Sequence, residues 1–332
     1  RRNIPTLTQV TSDYRELLGN PAVEAVYIAV PHNLHEESYV AALEAGKHLM
    51  GEKPFGIDLE ANQAILAALR KHPNCFVRCA SQFVFFPAVQ RIGRMIEAGA
   101  FGRILEVHAG FLHSSDLNPQ KPINWKRMVT YNGAYGVMGD LGPHVCALPF
   151  RAGWTPRNVR AILSNVIRER PDGKGGMAPC DTWDNATLLC ETHDPASDST
   201  FPFTLRTQRI APGQKNNWYI EIYGTRASTR YSLNEANTLE LLEYTGGEQT
   251  WQRISLGHEV TYKSITSEIF QMGVGDAILQ MWAAFLYEWE RGETPGRFTG
   301  CATPQESVRW HQLFTAALES QAQNSVVAVD GM

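Results

Sequence analysis

The feature that most constrains the fold is Val23-Glu24-Ala25-Val26-Tyr27-Ile28-Ala29-Val30, a nearly continuous apolar run that stops at Pro31. An apolar run of this length without alternation predicts a parallel strand covered on both faces. The segments that follow keep the pattern. Residues 36–45 read as a helix, with Asn33 available as its cap and Gly46 as its stop. His48-Leu49-Met50 is a short strand, residues 59–71 a second helix behind Asp58, and residues 75–81 a third strand. Strands and helices in alternation predict a parallel α/β sheet with right-handed crossovers.

The pattern changes after a helix that begins at Pro87 and ends before Gly99-Ala100-Phe101-Gly102. Residues 104–112 alternate in polarity, and strand-like runs recur at 159–166, 186–191, 201–209, 218–223, 228–232 and 238–244 without helices between them. Successive strands of this kind predict a largely antiparallel sheet and hence an α+β second domain. Two helices close the chain, at 276–291 and 304–320. The second has Thr303 as cap, Pro304 at its first position and Glu306 completing a capping box. The division falls at residues 1–83 and 84–332, a natural split for 332 residues.

Charge and composition exclude several functions. A formal net charge of −4 argues against electrostatic capture of nucleic acid. No apolar run approaches the roughly 20 residues needed to cross a bilayer. The six cysteines are scattered, and Cys75 and Cys79 have no second pair at a zinc-like spacing, so no metal is expected. Free thiols point to a reducing cytoplasm.

Two segments can carry chemistry. Gly51-Glu52-Lys53-Pro54 follows the second strand, and the ends of parallel strands open into the crevice where α/β proteins bind ligands. Low-dielectric walls there lower a lysine's pKa, so that Lys53 can donate or relay a proton. Glu52 is placed to orient the ammonium and Pro54 to stiffen the turn; the plainer reading is a solvated Glu-Lys pair in a loop. The second segment runs from Gly133 to His144, with Gly133, Gly136, Gly139 and Gly142 allowing close backbone approach to a ligand. Asp140 and His144 are four apart and share one helix face. An imidazole titrating near neutrality beside a carboxylate suits a general base. Pro143 places the start of that helix close to Asp140. The plainer reading makes Asp140 a cap and His144 a buried core residue.

Several residues stand behind these. His32 and His35 follow the first strand, but their spacing is not a zinc-binding one. Asn124-Trp125-Lys126-Arg127 offers an aromatic face with cations, suited to a sugar or a nicotinamide. His113 and Asp116 end a strand and can reach a ligand, while Asp184-Asn185 and residues 206–209 carry a weaker signal.

The order of these motifs resembles the Gfo/Idh/MocA oxidoreductases: a strand running into Ala29-Val30-Pro31 and on to Leu34-His35, then Glu52-Lys53-Pro54, then Gly139-Asp140-Leu141-Gly142 before His144. The likeness extends to residues 87–102 and to Glu221-Ile222-Tyr223-Gly224-Thr225. It implies an α/β Rossmann-type domain, incomplete at its N-terminus, joined to an α+β domain with a large, mainly antiparallel open sheet, with the active site between them. It also implies that Lys53 is the catalytic lysine, that Asp140 orients substrate hydroxyls and that His144 is the acid/base. Pro31, Asn33, His35, Glu52, Lys53, Pro54 and Gln82 would line the cofactor side, with Trp125 and Lys126 over the nicotinamide and substrate. His113 and Asp116 would touch the substrate. The implied cofactor is NAD or NADP, the substrate a secondary alcohol of a sugar, polyol or sugar derivative, and the assembly a homodimer or homotetramer.

Two other activities are compatible with the resemblance: a glycosidase or lyase working through transient oxidation, and a non-catalytic sugar or nucleotide sensor. The chain departs from many relatives at Ala134-Tyr135 and at residues 81–86, which affects substrate more than reaction. No Gly-x-Gly-x-x-Gly follows an early strand, and the match begins near Pro5, past that loop. The expectation is a family member whose first segment precedes Arg1. Without that segment, the strand at 23–30 would present a free edge.

Overall fold

Three short parallel strands, β1 (Ala25–Ile28), β2 (His48–Gly51) and β3 (Val77–Cys79), form the first sheet in consecutive order. This is a computed structural model, and it describes residues 6–257, 260–265, 269–329 and 331. Pro5, where the resemblance starts, lies outside the described residues. Ile28, Gly51 and Cys79 lie side by side in register, so the three chains leave the sheet along one edge. Helices His35–Glu44 and Leu59–Lys71 connect the strands, as the alternating pattern predicts. Asp58 caps the second of them by accepting from the Ala61 amide at 2.9 Å.

Two local expectations are corrected here. Asn33 is not a cap, because a 3-10 turn at His32–Leu34 intervenes and the helix starts at His35 with no side-chain cap. Nor is the first apolar run covered on both faces. Among the described residues only Ala25–Ile28 of the run pairs, with β2 as its strand neighbour, and Tyr27 is 48% exposed. Among the described residues β1 stands first in the order β1-β2-β3.

The second sheet has ten strands. From edge to edge they are Gln252–Ser255, Thr238–Glu243, Ala227–Ser232, Asn216–Gly224, Ile104–His113, Ser199–Gln208, Asn185–Asp194, Asn158–Ser164 and Val327–Ala328, with Thr155–Pro156 added to Asn185–Asp194. The pairing of Ile104–His113 with Ser199–Gln208 is parallel and the rest antiparallel, a mainly antiparallel mixed sheet. The hairpin of Glu169–Pro171 with Met177–Pro179 has too little apolar pattern to be read from sequence.

Helix Val137–Arg151 packs on this sheet with all fifteen residues buried. It begins three residues before Asp140, and Pro143 and Pro149 both lie inside it, which corrects the expected start. A proline in a helix removes one backbone bond and crowds the preceding turn. Burial of the whole helix outweighs that loss here. The entry is set by Gly136, whose positive φ of 57° and contact with Trp183 leave no room for a side chain. Gly142 lies where a Cβ would strike Phe314 at 2.3 Å. Gly133 and Gly139 likewise face Ile57 and Tyr135. At these four glycines the close neighbours are protein atoms.

The closing helices are Val274–Arg291 and Pro304–Gln323, the latter with the expected Thr303/Glu306 capping box. This last helix ties the two sheets together. Asn62 bonds Ser307 at 2.7 Å, and the Pro54 carbonyl accepts from Trp310 Nε1 at 3.1 Å and His311 Nε2 at 2.8 Å. The Tyr135 hydroxyl accepts from the Leu59 amide and bonds Thr315 at 2.7 Å. The turn bearing Lys53 is therefore held against the helix bearing Asp140. Among the described residues no helix is long and apolar enough to cross a membrane, and all six cysteines are buried and free.

Candidate active site

Pro31, Lys53 and Gln82 follow the aligned strand ends Ile28, Gly51 and Cys79, and the buried helix Val137–Arg151 stands across from Lys53. Lys53 reaches across to it. Its ammonium donates to the Asp140 carbonyl at 2.5 Å and to Asp140 Oδ1 at 2.6 Å. The expected partner, Glu52, is engaged elsewhere. Its carboxylate takes the Tyr27 hydroxyl and its carbonyl takes the Tyr39 hydroxyl, so it does not orient Lys53.

Asp140 is the centre of a cluster of cations. Lys126 Nζ bonds both carboxylate oxygens at 3.0 Å, and Arg209 Nη2 lies 3.3 Å from Oδ2. Burial alone would raise the Asp140 pKa, but Lys53, Lys126 and Arg209 outweigh it and hold the carboxyl well below its usual range. A carboxylate has about four acceptor positions. All are taken here by cations.

The cluster is fixed from behind. Arg209 also donates to the Lys126 carbonyl at 2.8 Å, and Thr182 donates to the same carbonyl at 3.0 Å. The Arg209 amide is bonded to the Asp184 carbonyl. Asp184 in turn pairs with buried Arg127 at 2.6 Å, and Arg127 pairs with Asp116. Asp116, expected to touch substrate, is thus committed to Arg127 and to Lys121 at 2.7 Å. Arg209 and Asp184 carry a weak sequence signal, yet Arg209 is among the residues nearest the centre. The only hint is its charge at the end of an apolar strand.

Beside Asp140 is a cleft of about 350 Å³, lined by His113, Asp116, Trp125, Lys126, Asp140 and Arg209. Trp125 stands edge-on to His32 with ring centroids 5.0 Å apart. One helical turn below Asp140, His144 is enclosed by Phe83 at 4.9 Å and Phe111 at 5.9 Å between ring centroids. Its Nδ1 is buried without a partner. Burial and then the Lys53 ammonium push its pKa down to about 3, so it does not titrate near neutrality as expected; it is a neutral imidazole.

Some cofactor-side expectations change character. His35 is fully buried, donates from Nε2 to the Val30 carbonyl at 3.1 Å and stacks on Tyr39, so its ring braces the strand end. Pro54 acts through the carbonyl that the last helix grips. Asn33 is half-buried and its Oδ1 has no partner. Gln82 is half-buried at the end of β3. Among the described residues no group of three or more His, Cys, Asp or Glu is placed to hold a metal.

Several rings here repel protons. Burial lowers His35 and His144 to about 3 and His311 to about 4. The unfolded chain takes up protons at these rings below their ordinary value of 6.5, and the folded chain does so only near 3 to 4. Their contribution to stability is therefore complete above that ordinary value and lost as pH falls through the interval. Each unit of pH in it costs up to about 1.4 kcal/mol per ring. Urea unfolding followed between about pH 8 and pH 4 is expected to show a flat midpoint that drops steeply on the acid side. A midpoint unchanged down to about pH 4 would show that these rings are not buried neutral.

Comparison with known proteins places the chain among oxidoreductases. Residues 4–79 match the family model described as oxidoreductase family, NAD-binding Rossmann fold, of the Gfo/Idh/MocA group. Residues 89–230 match the GFO/IDH/MocA C-terminal domain. A levoglucosan dehydrogenase of Pseudarthrobacter phenanthrenivorans is 30% identical over 70% of this chain and 61% of its own length. A D-xylose 1-dehydrogenase (NADP(+)) of Hypocrea jecorina is 31% identical over 39% of this chain and 34% of its own length. A solved levoglucosan dehydrogenase in complex with NADH and L-sorbose superposes with a TM-score of 0.85 at 26% identity, over 97% of this chain and 83% of that one. The chain spans less than two thirds of the curated relatives it matches first, 61% and 57% of their lengths.

Proposed function

The chain belongs to the Gfo/Idh/MocA oxidoreductase family, and from that premise we propose that the protein oxidises a secondary alcohol of a sugar, polyol or sugar derivative, reversibly, with NAD or NADP. Residues 1–83 serve the cofactor and residues 84–332 the substrate, a division supported by the two separate sheets. The observation that carries the reading is the meeting of Lys53, Asp140 and a neutral, unpartnered His144 where the parallel strands end.

The residues present fit a nicotinamide at this edge. Asn33 Oδ1 and His144 Nδ1 are buried polar atoms without partners, and an unpaired buried polar atom is costly unless a ligand satisfies it. Pro31, Asn33, Gln82 and the Lys53-Pro54 turn would hold it, with Trp125 on the substrate side. When bound, the cofactor accepts the hydrogen and the electron pair that leave the alcohol carbon.

The remaining work belongs to the chain. An ammonium has three N–H donors, and Lys53 spends two on Asp140, leaving one for the alcohol oxygen. That bond orients the alcohol and stabilises negative charge as it develops on oxygen. Asp140 holds the Lys53 side chain in place through its carbonyl and Oδ1. His144 Nδ1 takes the hydroxyl proton. A weak base suffices, because the hydroxyl becomes strongly acidic as its carbon loses electrons. In the reverse direction the imidazolium returns the proton.

The test is His144→Asn. Removing a general base is expected to lower kcat by about 10² to 10³-fold with little change in KM. Full activity in this variant would take His144 out of the proton step.

A further inference from the structure

Around Asp140 there is more positive charge than its carboxylate can balance. Three cations, Lys53, Lys126 and Arg209, converge on the single carboxylate of Asp140. Three positive charges less one negative leave an excess of two. Among the described residues the two further acids, Asp116 and Asp184, bring two further cations, Lys121 and Arg127, so the excess stands. Asp116 is matched by Lys121 and Arg127, and Asp184 by Arg127 and the amides of Val166 and Ile167. The nearby rings add no counter-charge, because His113 and His144 are neutral.

Hydrogen-bonding capacity is lopsided in the same sense. Lys53 retains one donor, Lys126 has its side chain 40% exposed at the cleft, and Arg209 Nε is buried with no partner. Acceptors are scarce. Both oxygens of Asp140 are filled, and Asn124 Oδ1 is committed to the Lys126 amide at 3.0 Å. His144 Nδ1 is reserved for the hydroxyl being oxidised. Every hydroxyl of a neutral sugar brings a donor along with its acceptors, and that donor would go unpaired here at the cost that attends any buried unsatisfied polar group. An oxyanion brings acceptors alone, and against ammonium and guanidinium groups these make the stronger, charge-assisted bonds.

We infer that the substrate is an anionic sugar derivative, a sugar acid or sugar phosphate whose oxyanion binds against Lys126 and Arg209 while the neighbouring hydroxyl faces Lys53 and His144. This rests on the dehydrogenase reading above and narrows its substrate class. Arg209 is then a positioning residue as well, since it holds both the Lys126 carbonyl and the Asp140 carboxylate in place.

The experiment compares matched ligands on the same protein: glucose, glucuronate, gluconate and glucose 6-phosphate, with their galactose counterparts. Binding is measured by calorimetry and turnover with NAD and with NADP. At least one acid or phosphate is expected to bind about ten-fold or more tightly than its neutral match, the gain of one charge-assisted bond. Acids against phosphates in the panel tell which oxyanion it is. The preference is expected to shrink several-fold between about 50 mM and about 500 mM salt, where screening shortens from beyond the cleft to within it. Lys126→Gln should narrow it further. Neutral sugars bound as well as their anionic matches, a preference indifferent to salt, or no binding by any anion would each overturn the inference. The dehydrogenase reading fails separately. Neutral sugars oxidised while acids and phosphates are ignored would sink the anionic substrate and leave the reaction standing. Anions bound tightly, with no ligand turned over by either cofactor, would do the reverse.

Discussion

Lys53→Met is expected to lower kcat/KM by about 10³-fold, through loss of the donor that orients the alcohol and stabilises the charge developing on its oxygen. Methionine keeps the length of the side chain and removes only its charge and its bonds. Asp140 retains Lys126 and Arg209 as partners in the variant, and one of three converging cations is gone. The fold should therefore persist with an unfolding midpoint near that of the parent, which separates a chemical loss from a structural one. Steady-state kinetics alongside thermal unfolding checks both halves. Activity within about ten-fold of the parent would mean that Lys53 is a bystander, as the plain reading of a solvated Glu-Lys pair has it.

Asp140→Asn should produce the larger structural effect. The substitution keeps the shape of the side chain and leaves Lys53, Lys126 and Arg209 converging on a neutral amide in a site where Arg209 is almost wholly buried. Breaking a buried pair by removing one partner costs about 3 to 5 kcal/mol, chiefly because the other charge is left uncompensated. A loss of that order in urea unfolding is expected, together with loss of turnover as Lys53 is no longer aimed. Adding Lys53→Met to Asp140→Asn should restore part of the stability, because residues sharing one network are not additive. A loss below about 1 kcal/mol, with activity retained, would mean that the three cations are screened by water and that Asp140 does not organise them.

Much of this site was legible because its parts lie in short, ordered motifs. Lys53 follows a buried strand, and Asp140 and His144 are one helical turn apart, so local pattern and motif order were enough to select them. What the pattern could not supply is the partnering. Glu52 is adjacent to Lys53 in sequence but turns to Tyr27, whereas the true partner lies 87 residues away. Arg209 reaches Asp140 from 69 residues away, through a strand pairing that no local periodicity encodes. The start of the central helix was misplaced for a related reason. Pro143 argues against a helix interior locally, but the burial of every residue from Val137 to Arg151 overrides that preference. The same holds for His144, whose ordinary pKa near neutrality is overturned by two aromatic walls and an ammonium that reach it from other elements. The apolar run at 23–30 misled in the opposite direction. Its composition does not show that Tyr27 lies half in solvent.

The central claim is a net transfer of hydrogen from an alcohol to a nicotinamide, with the proton passing to His144. Its most direct test is stoichiometry: the absorbance of reduced cofactor set against the ketone or lactone formed from the same sugar derivative. One reduced cofactor is expected for each alcohol oxidised, with a slower reaction when deuterium replaces hydrogen on the alcohol carbon. Release of a leaving group without net reduction of the cofactor, or tight sugar binding with no reduction and no product, would contradict the account.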